Sequence, residues 1–193
     1  MRLYHVPGTR SSRVHWLLEE IGKPYDLTVM TRDERHEPPH LARHPLGRVP
    51  VVHDGEGYVF ESAGLCLHLA ESNPEAGLLP AAGTHDRALV YQWVFYAMLE
   101  MEPGIVEKYI YGETDAARTA AGVESYRKAV QVIEDELAGK DYLVGGTFSV
   151  ADLIVAGVAG FGGFLGMNDG FPNLAAYLER INARPALLRA NAA

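Results

Sequence analysis

Between Leu46 and Ser62 the sequence reads LGRVPVVHDGEGYVFES, in which a basic residue, a valine–proline pair, a hairpin and an acid–serine pair follow one another within seventeen residues. These types suit the capture of an extended ligand that carries a carboxylate. Pro50 has no backbone N–H, so the apolar run it enters is a sheet edge or the junction of a strand with a loop. An X–Pro bond is also where a cis peptide is least unfavourable. With Val49–Pro50 cis, the N–H and C=O of Val49 are left to pair with an extended peptide lying alongside. Ser62 precedes the helical stretch AGLCLHLAES, and a helix N-terminus with a serine cap attracts carboxylates. Each residue alone has a plainer reading, Ser62 as a cap and Glu61 as a solvated strand end. Their order is what points to a binding edge.

The elements that hold this edge can be read in chain order. Arg2 to Val6 is a strand, Pro7-Gly8-Thr9 a turn, and Ser11 to Ile21 a helix with Val14, Leu17, Leu18 and Ile21 on its apolar face, closed by Gly22. Tyr25 to Met30 is the next strand, reached by a crossover long enough for a parallel βαβ unit. A polar region from Thr31 to His44 is interrupted by Pro38-Pro39. Val49, Val51 and Val52 then pair through the turn Asp54–Gly57 with Tyr58–Phe60, and a helix runs from Ala63 to Ser72. Asn73-Pro74-Glu75 and Pro80–Gly83 read as a linker. Beyond it only helices are expected: Asp86 to about Tyr109, bent at Pro103-Gly104, Ala116 to Leu137, an all-apolar helix after Ser149-Val150-Ala151-Asp152, and Asn173 to Asn182 before a small tail. Ser149 and Asp152 have capping-box spacing. Gly157, Gly160, Gly162 and Gly163 are unfavourable in a helix, so they permit close packing or leave room for a ligand. The expected division is an α/β unit over 1–74, in the order βαβαββα, and an all-helical domain over 85–193.

Composition narrows the function. The chain has 193 residues, is 48% hydrophobic, carries a net charge of −8 and has a pI near 5.4. Its acidity argues against nucleic acid or an anionic membrane as a general partner. One cysteine, Cys66, excludes a disulfide framework or a CxxC motif and suits a reducing compartment. The first residues, MRLYHVPGTRSS, lack the apolar core of a signal peptide, and Leu153 to Met167 is too short and glycine-rich for a membrane span. A soluble, cytoplasmic protein is expected. His36, His40 and His44 fall at i, i+4 and i+8, but Pro38-Pro39 breaks the helix that a metal site on them requires, so no metal is expected. No GxSxG, P-loop or HExxH occurs.

Arg48, Val49-Pro50, a hairpin and Glu61-Ser62 at a helix start, taken together, resemble the glutathione site of the glutathione transferase family. The order βαβαββα is similar to a thioredoxin-like domain, and the SVAD box resembles the capping box of the family's buried helix. The resemblance implies glutathione as co-substrate, with Ser62 and its helix N-terminus on the γ-glutamyl carboxylate, Glu61 on the ammonium side, Val49 beside Pro50 on the cysteinyl backbone and Arg48 on a carboxylate. In the family, the residue that favours thiolate lies between the first strand and first helix. Here PGTRSS resembles the PGACS of the bacterial beta class, with Arg10 in the cysteine's place, so mixed-disulfide chemistry is not expected there. Ser11 and Thr9 are the hydroxyl candidates, Ser12 is next, and Arg10 could act by charge. A free thiol with a pKa of about 8.5 is only a few per cent ionised at pH 7. Lowering that by about two units takes roughly 2.7 kcal/mol, within reach of one or two hydrogen bonds. Cys66 reads as inert core. A small electrophile is expected to face Trp93, Tyr96 or Tyr109 and the glycine-rich helix, and a homodimer is implied. The same fold carries non-catalytic glutathione binders and glutathione-dependent reductases and isomerases, which are the alternatives.

Overall fold

Strands β1 (Arg2–His5), β2 (Asp26–Val29), β3 (Val51–His53) and β4 (Tyr58–Phe60) form one sheet in the order β2-β1-β3-β4 in a computed structural model that describes residues 1–192. β1 and β2 are parallel, as a crossover through helix α1 (Ser11–Ile21) demands. β3 runs antiparallel to both its neighbours. The hairpin turn is held by Asp54, whose Oδ1 accepts Glu56 N–H at 2.8 Å and Gly57 N–H at 2.9 Å, an Asx arrangement that replaces a backbone turn. Leu3, Val14, Leu17, Val52, Leu65 and Cys66 are buried, and Tyr4, Val6, Met30, Val49 and Val51 form a cluster of their own.

Two elements of this unit differ from the sequence expectation. Pro38 and Pro39 do not interrupt structure; they begin the short helix α2 (Pro38–Leu41). The first turn of a helix needs no N–H, and the ring presets φ. After α3 (Ser62–Glu71) and a single 3-10 turn (Pro74–Ala76), the next element of this unit is α9 (Pro185–Ala192). The expectation there is a small tail within the helical domain. Instead α9 packs on α1, and contacts group the segment from Arg184 with Met1–Gly77 and leave Leu78–Ala183 as the second unit. Glu20 accepts Arg184 Nε–H at 2.6 Å and Trp16 Nε1–H at 2.9 Å, and Glu19 accepts Arg189 Nε–H at 2.8 Å. The two arginines are 164 and 170 residues from their partners, so no local pattern announces them.

The second unit contains α4 (His85–Tyr96), a wide π turn (Ala97–Met101), α5 (Glu102–Tyr111), α6 (Ala116–Glu136), α7 (Val150–Phe164) and α8 (Pro172–Asn182). The bend expected at Pro103-Gly104 is met by the π turn, which ends just before the proline and absorbs its missing donor. Gly104 and Gly122 let α5 and α6 touch by backbone: a Cβ on Gly104 would lie 2.4 Å from the Gly122 carbonyl oxygen. α7 is buried over most of its length, and Ser149 with Asp152 forms the expected capping box. The Asp152 carboxylate also accepts Leu143 N–H at 2.9 Å and Tyr177 O–H at 3.1 Å. Glu134 of α6 caps α8, accepting Asn173 N–H at 2.9 Å and Leu174 N–H at 2.8 Å.

The glycines of α7 separate by environment. A Cβ on Gly162 would lie 2.1 Å from the Tyr126 hydroxyl, which is fully buried and donates to Asn168 Oδ1 at 2.6 Å. A Cβ on Gly160 meets nothing within 4 Å. Gly162→Ala should therefore destabilise by about 1–3 kcal/mol through overpacking, whereas Gly160→Ala should stabilise by about 0.5–1 kcal/mol through helix propensity. Urea melts of the two variants check the opposite signs.

Candidate functional site

The Val49–Pro50 bond is cis, and Val49 stands two residues before β3, outside its ladder with β1. The carbonyl of exposed Arg48 accepts the Nε2–H of His40 at 2.9 Å. His40 comes from α2 and is 1% exposed, so a buried imidazole fixes the backbone that leads into the cis bond. His44 accepts Leu46 N–H on Nδ1 at 3.1 Å, and its ring lies 4.4 Å from that of Phe60. The sequence spacing of these histidines suggests a metal row that Pro38-Pro39 argues against, and it assigns no other role to His40 or His44. In the fold two of them pin loops, and among the described residues no group of His, Cys, Asp or Glu is placed to hold a metal ion. Their backbone and ring partners lie across turns that residue spacing does not reveal.

At the other end of the edge, Glu61 has φ 78° and ψ 106°, a left-handed conformation that costs a non-glycine residue of order 1–3 kcal/mol. The helical geometry of α3 begins at Ser62, so Glu61, and not Ser62, is the N-cap residue. The first helical bond runs from Leu65 N–H to the Glu61 carbonyl at 2.9 Å, and the N–H groups ahead of it lack intrahelical acceptors. Ser62 is 2% exposed, and its hydroxyl has no hydrogen-bond partner among the described residues. Leaving a buried hydroxyl unmet costs about 1–3 kcal/mol. An unspent hydroxyl at the positive end of a helix is the donor set a carboxylate needs.

The segment between β1 and α1 is closed by hydroxyls. Ser11 Oγ accepts Val6 N–H at 3.1 Å and lies 2.8 Å from His5 Nδ1. Thr9 Oγ1 donates to the Val6 carbonyl at 2.7 Å and lies 2.8 Å from Ser11 Oγ. Ser11 is wholly buried, with its hydroxyl engaged inside the protein, while Thr9 is half-buried and Arg10, the N-cap of α1, is exposed. The first-named hydroxyl candidate thus stands behind the second. His5 has no role in the sequence reading beyond strand residue, and both it and Tyr4 are buried in the fold. Burial lowers the His5 pKa to about 4, helped by the His15 ring 5.0 Å away, and burial lowers that of His15 too. Cys66 is buried and its thiol is pushed up to about 12 by desolvation, in keeping with inert core.

The aromatic residues of the second unit divide. Trp93 is buried edge-on against Tyr96, and the Tyr96 hydroxyl donates to the Ala129 carbonyl at 3.1 Å. Trp93 is therefore core, not a surface for a second substrate. Tyr109 is exposed beside Phe161, at 5.4 Å between ring centroids, and Phe161 stacks on Phe164, whose side chain is the most open large apolar group described.

A β2-β1-β3-β4 sheet with a cis-proline edge beside a helix N-terminus, joined to a helical unit, defines a thioredoxin-like binding domain with an all-helical partner. Residues 1–71 match the model of the glutathione S-transferase N-terminal domain, and residues 87–185 that of the C-terminal domain. Glutathione S-transferase 4 of Zea mays is 31% identical over 189 residues, spanning 91% of this chain and 84% of the relative. Among solved structures, a sphingomonad glutathione S-transferase complexed with glutathione superposes with a TM-score of 0.90 at 29% identity, covering 100% of this chain and 98% of that one. A glutathione transferase from Methylococcus capsulatus gives 0.91 at 27%, covering 99% and 97%. The chain belongs to the glutathione S-transferase family.

Buried neutral histidines make this fold sensitive to acid. A group whose folded pKa is depressed gives stability that is fully present above its unfolded value, near 6.5 for histidine, and is lost as pH falls toward the folded value, about 4 for His5. Across that window His5 alone should remove about 3 kcal/mol, with His15 adding in the same direction. Chemical denaturation between pH 7 and 4 should show the fall, and His5→Phe, which cannot take the proton, should lose most of it.

Proposed function

We propose that this chain is a glutathione transferase that holds glutathione along the Val49 to Ser62 edge, ionises its thiol and joins the sulfur to a small, apolar electrophile. The observation that carries the reading is the buried, unmet hydroxyl of Ser62 at the start of α3. In this reading Ser62 and the first N–H groups of α3 hold the γ-glutamyl carboxylate. Glu61, turned outward by its left-handed backbone, meets the ammonium group. Val49 pairs with the cysteinyl backbone ahead of the cis Pro50, and Arg48 serves a carboxylate. Thr9 donates to the sulfur from the half-buried end of the loop, with Ser11 behind it and the positive end of α1 and Arg10 beside it. The thiol proton leaves to water, the thiolate forms the new carbon–sulfur bond, and any leaving group departs with the electron pair. The exposed rings of Tyr109 and Phe164, with Phe161 between them, form an open apolar surface on the helical unit. The named relatives, all glutathione S-transferases, support an enzyme over a non-catalytic binder.

Ser62→Ala should weaken glutathione binding by about 1.5–3 kcal/mol, because the lost bond is to a charged group; calorimetry with unchanged affinity would overturn the binding mode. Thr9→Ala should lower turnover about 10²- to 10³-fold and raise the pH at which bound glutathione ionises, while Thr9→Ser retains both. Glutathione binding without turnover of any electrophile would move the non-catalytic alternative ahead.

A homodimer is part of the same proposal. Tyr91 and Phe95 on α4 and Leu99 in the turn after it are exposed large apolar side chains, and a second copy is the partner that would cover them. Cytoplasmic residence is also proposed, on the strength of a single buried thiol; no helix among the described residues is long and apolar enough to cross a membrane. Phe95→Glu should shift sedimentation from dimer to monomer, and a parent protein that sediments as a monomer at every concentration removes the proposal.

A further inference from the structure

We propose that His5 is a positioning residue for this reaction, giving its Nδ1–H to Ser11 Oγ so that the Ser11 proton takes over the Val6 carbonyl and Thr9 is free to turn its own proton to the sulfur. The inference rests on the glutathione reading above, and it follows from counting protons. A hydroxyl has one proton and two acceptor sites. The Val6 N–H can only donate, so Ser11 Oγ accepts it, at 3.1 Å. The Val6 carbonyl can only accept; Thr9 Oγ1 lies 2.7 Å from it and Ser11 Oγ 3.1 Å. The two hydroxyls are 2.8 Å apart. What remains open is which way the 2.8 Å contact between His5 Nδ1 and Ser11 Oγ is polarised.

With the proton on His5 Nε2, Nδ1 draws the Ser11 proton inward. The loop is then satisfied by itself, with Thr9 tied to Val6. With the proton on Nδ1, both acceptor sites of Ser11 Oγ are filled, by Val6 and His5, and the Ser11 proton must go to Thr9 Oγ1 or to the Val6 carbonyl. Thr9 can then turn its own proton from Val6 to a thiolate, because Ser11 replaces it on that carbonyl at 3.1 Å. No buried group is left unpaired when the ligand takes the bond. The donors His5 and Ser11 then stand head to tail, His5 to Ser11 Oγ and Ser11 to the Val6 carbonyl, an arrangement in which each bond polarises the next and which releases the Thr9 proton.

The surroundings keep His5 in the neutral state this requires. It is 3% exposed. The ring facing it from α1 is His15, which has Tyr25 6.0 Å beyond and the Glu19 carboxylate acting on it. A neutral ring carries one N–H, so its tautomer alone decides the direction of the chain.

Two measurements on the full-length protein test this. Nitrogen-15 NMR of ring-labelled histidine with glutathione bound should show His5 as the Nδ1–H tautomer; the Nε2–H tautomer overturns the proposal. The pH titration of the bound thiolate absorbance should move up by about half to one unit in His5→Phe. It should return to within about 0.3 units of the parent in His5→Asn, whose side-chain amide offers an N–H near the place of Nδ1. An unmoved midpoint in His5→Phe overturns the proposal even if Thr9→Ala moves it, and the glutathione reading then stands without it. Failure of the unaltered protein to bind glutathione overturns both. Should His5→Phe not fold, the tautomer measured in the unaltered protein decides.

Discussion

The left-handed backbone of Glu61 is the constraint on which the edge from Val49 to Ser62 depends. β4 ends at Phe60 and α3 starts at Ser62, so one residue must turn an extended chain into a helix, and φ 78° at Glu61 does it. Two consequences follow from that geometry. The Glu61 side chain is thrown outward, and the Ser62 hydroxyl, already inside the helix, is not used as a cap and has no partner among the described residues. A glycine would adopt this turn without strain. Strain of this kind is commonly stored at ligand sites, and the proposal that Glu61 meets the ammonium group of glutathione gives it a use.

Several buried polar groups at helix starts are met with care, whereas the Ser62 hydroxyl, like Thr119 Oγ1 and the Nδ1 atoms of His15 and His40, has no partner among the described residues. Asp152 gathers donors from Leu143, Ser149 and Tyr177 around the start of α7. Glu134 of α6 supplies the start of α8 with the acceptor its own sequence does not provide. The Tyr126 hydroxyl crosses the gap left by Gly162 to reach Asn168. Each arrangement offsets a desolvation penalty that would otherwise exceed the gain of one hydrogen bond. What sets Ser62 apart from the other unmet groups is its place as the first residue of α3, where backbone N–H groups also lack intrahelical acceptors.

The loop after β1 shows how substitution at one site redirects its neighbours. Arg10 occupies the place of a cysteine in the PGACS pattern, and the only thiol, Cys66, is sealed in core with its pKa pushed up to about 12. Redox chemistry by a protein thiol is therefore disfavoured on electrostatic grounds, since thiolate is the reactive form. What the loop retains is hydroxyls, and these are bound to both polar groups of the Val6 backbone. Their donors can be turned only by the groups behind them, which gives a buried histidine on β1 influence over a half-buried threonine.

Local physics made much of this protein legible from its sequence. Periodicity, turn residues and capping chemistry act over a few residues, and they sufficed for the order βαβαββα, the helical second part, the Asp54 turn, the Ser149–Asp152 box and the place of Val49-Pro50 and Glu61-Ser62. The first strand and helix also placed Thr9 and Arg10 in the connection between them and Ser11 at the helix start. What tertiary structure decided is every question of where a side chain finds its partner. Ser11 and Thr9 are both hydroxyls two residues apart, yet one is sealed behind the other because the strand end and His5 lie beneath them. His40 reaches Arg48 only because the loop folds back, Trp93 proves to be core while Tyr109 stays open, and α9 joins α1 through ion pairs with Glu19 and Glu20 across 170 and 164 residues. Backbone conformation is governed by near neighbours and leaves its mark in sequence spacing; burial and hydrogen-bond partnership are governed by contacts between distant segments, which spacing does not encode.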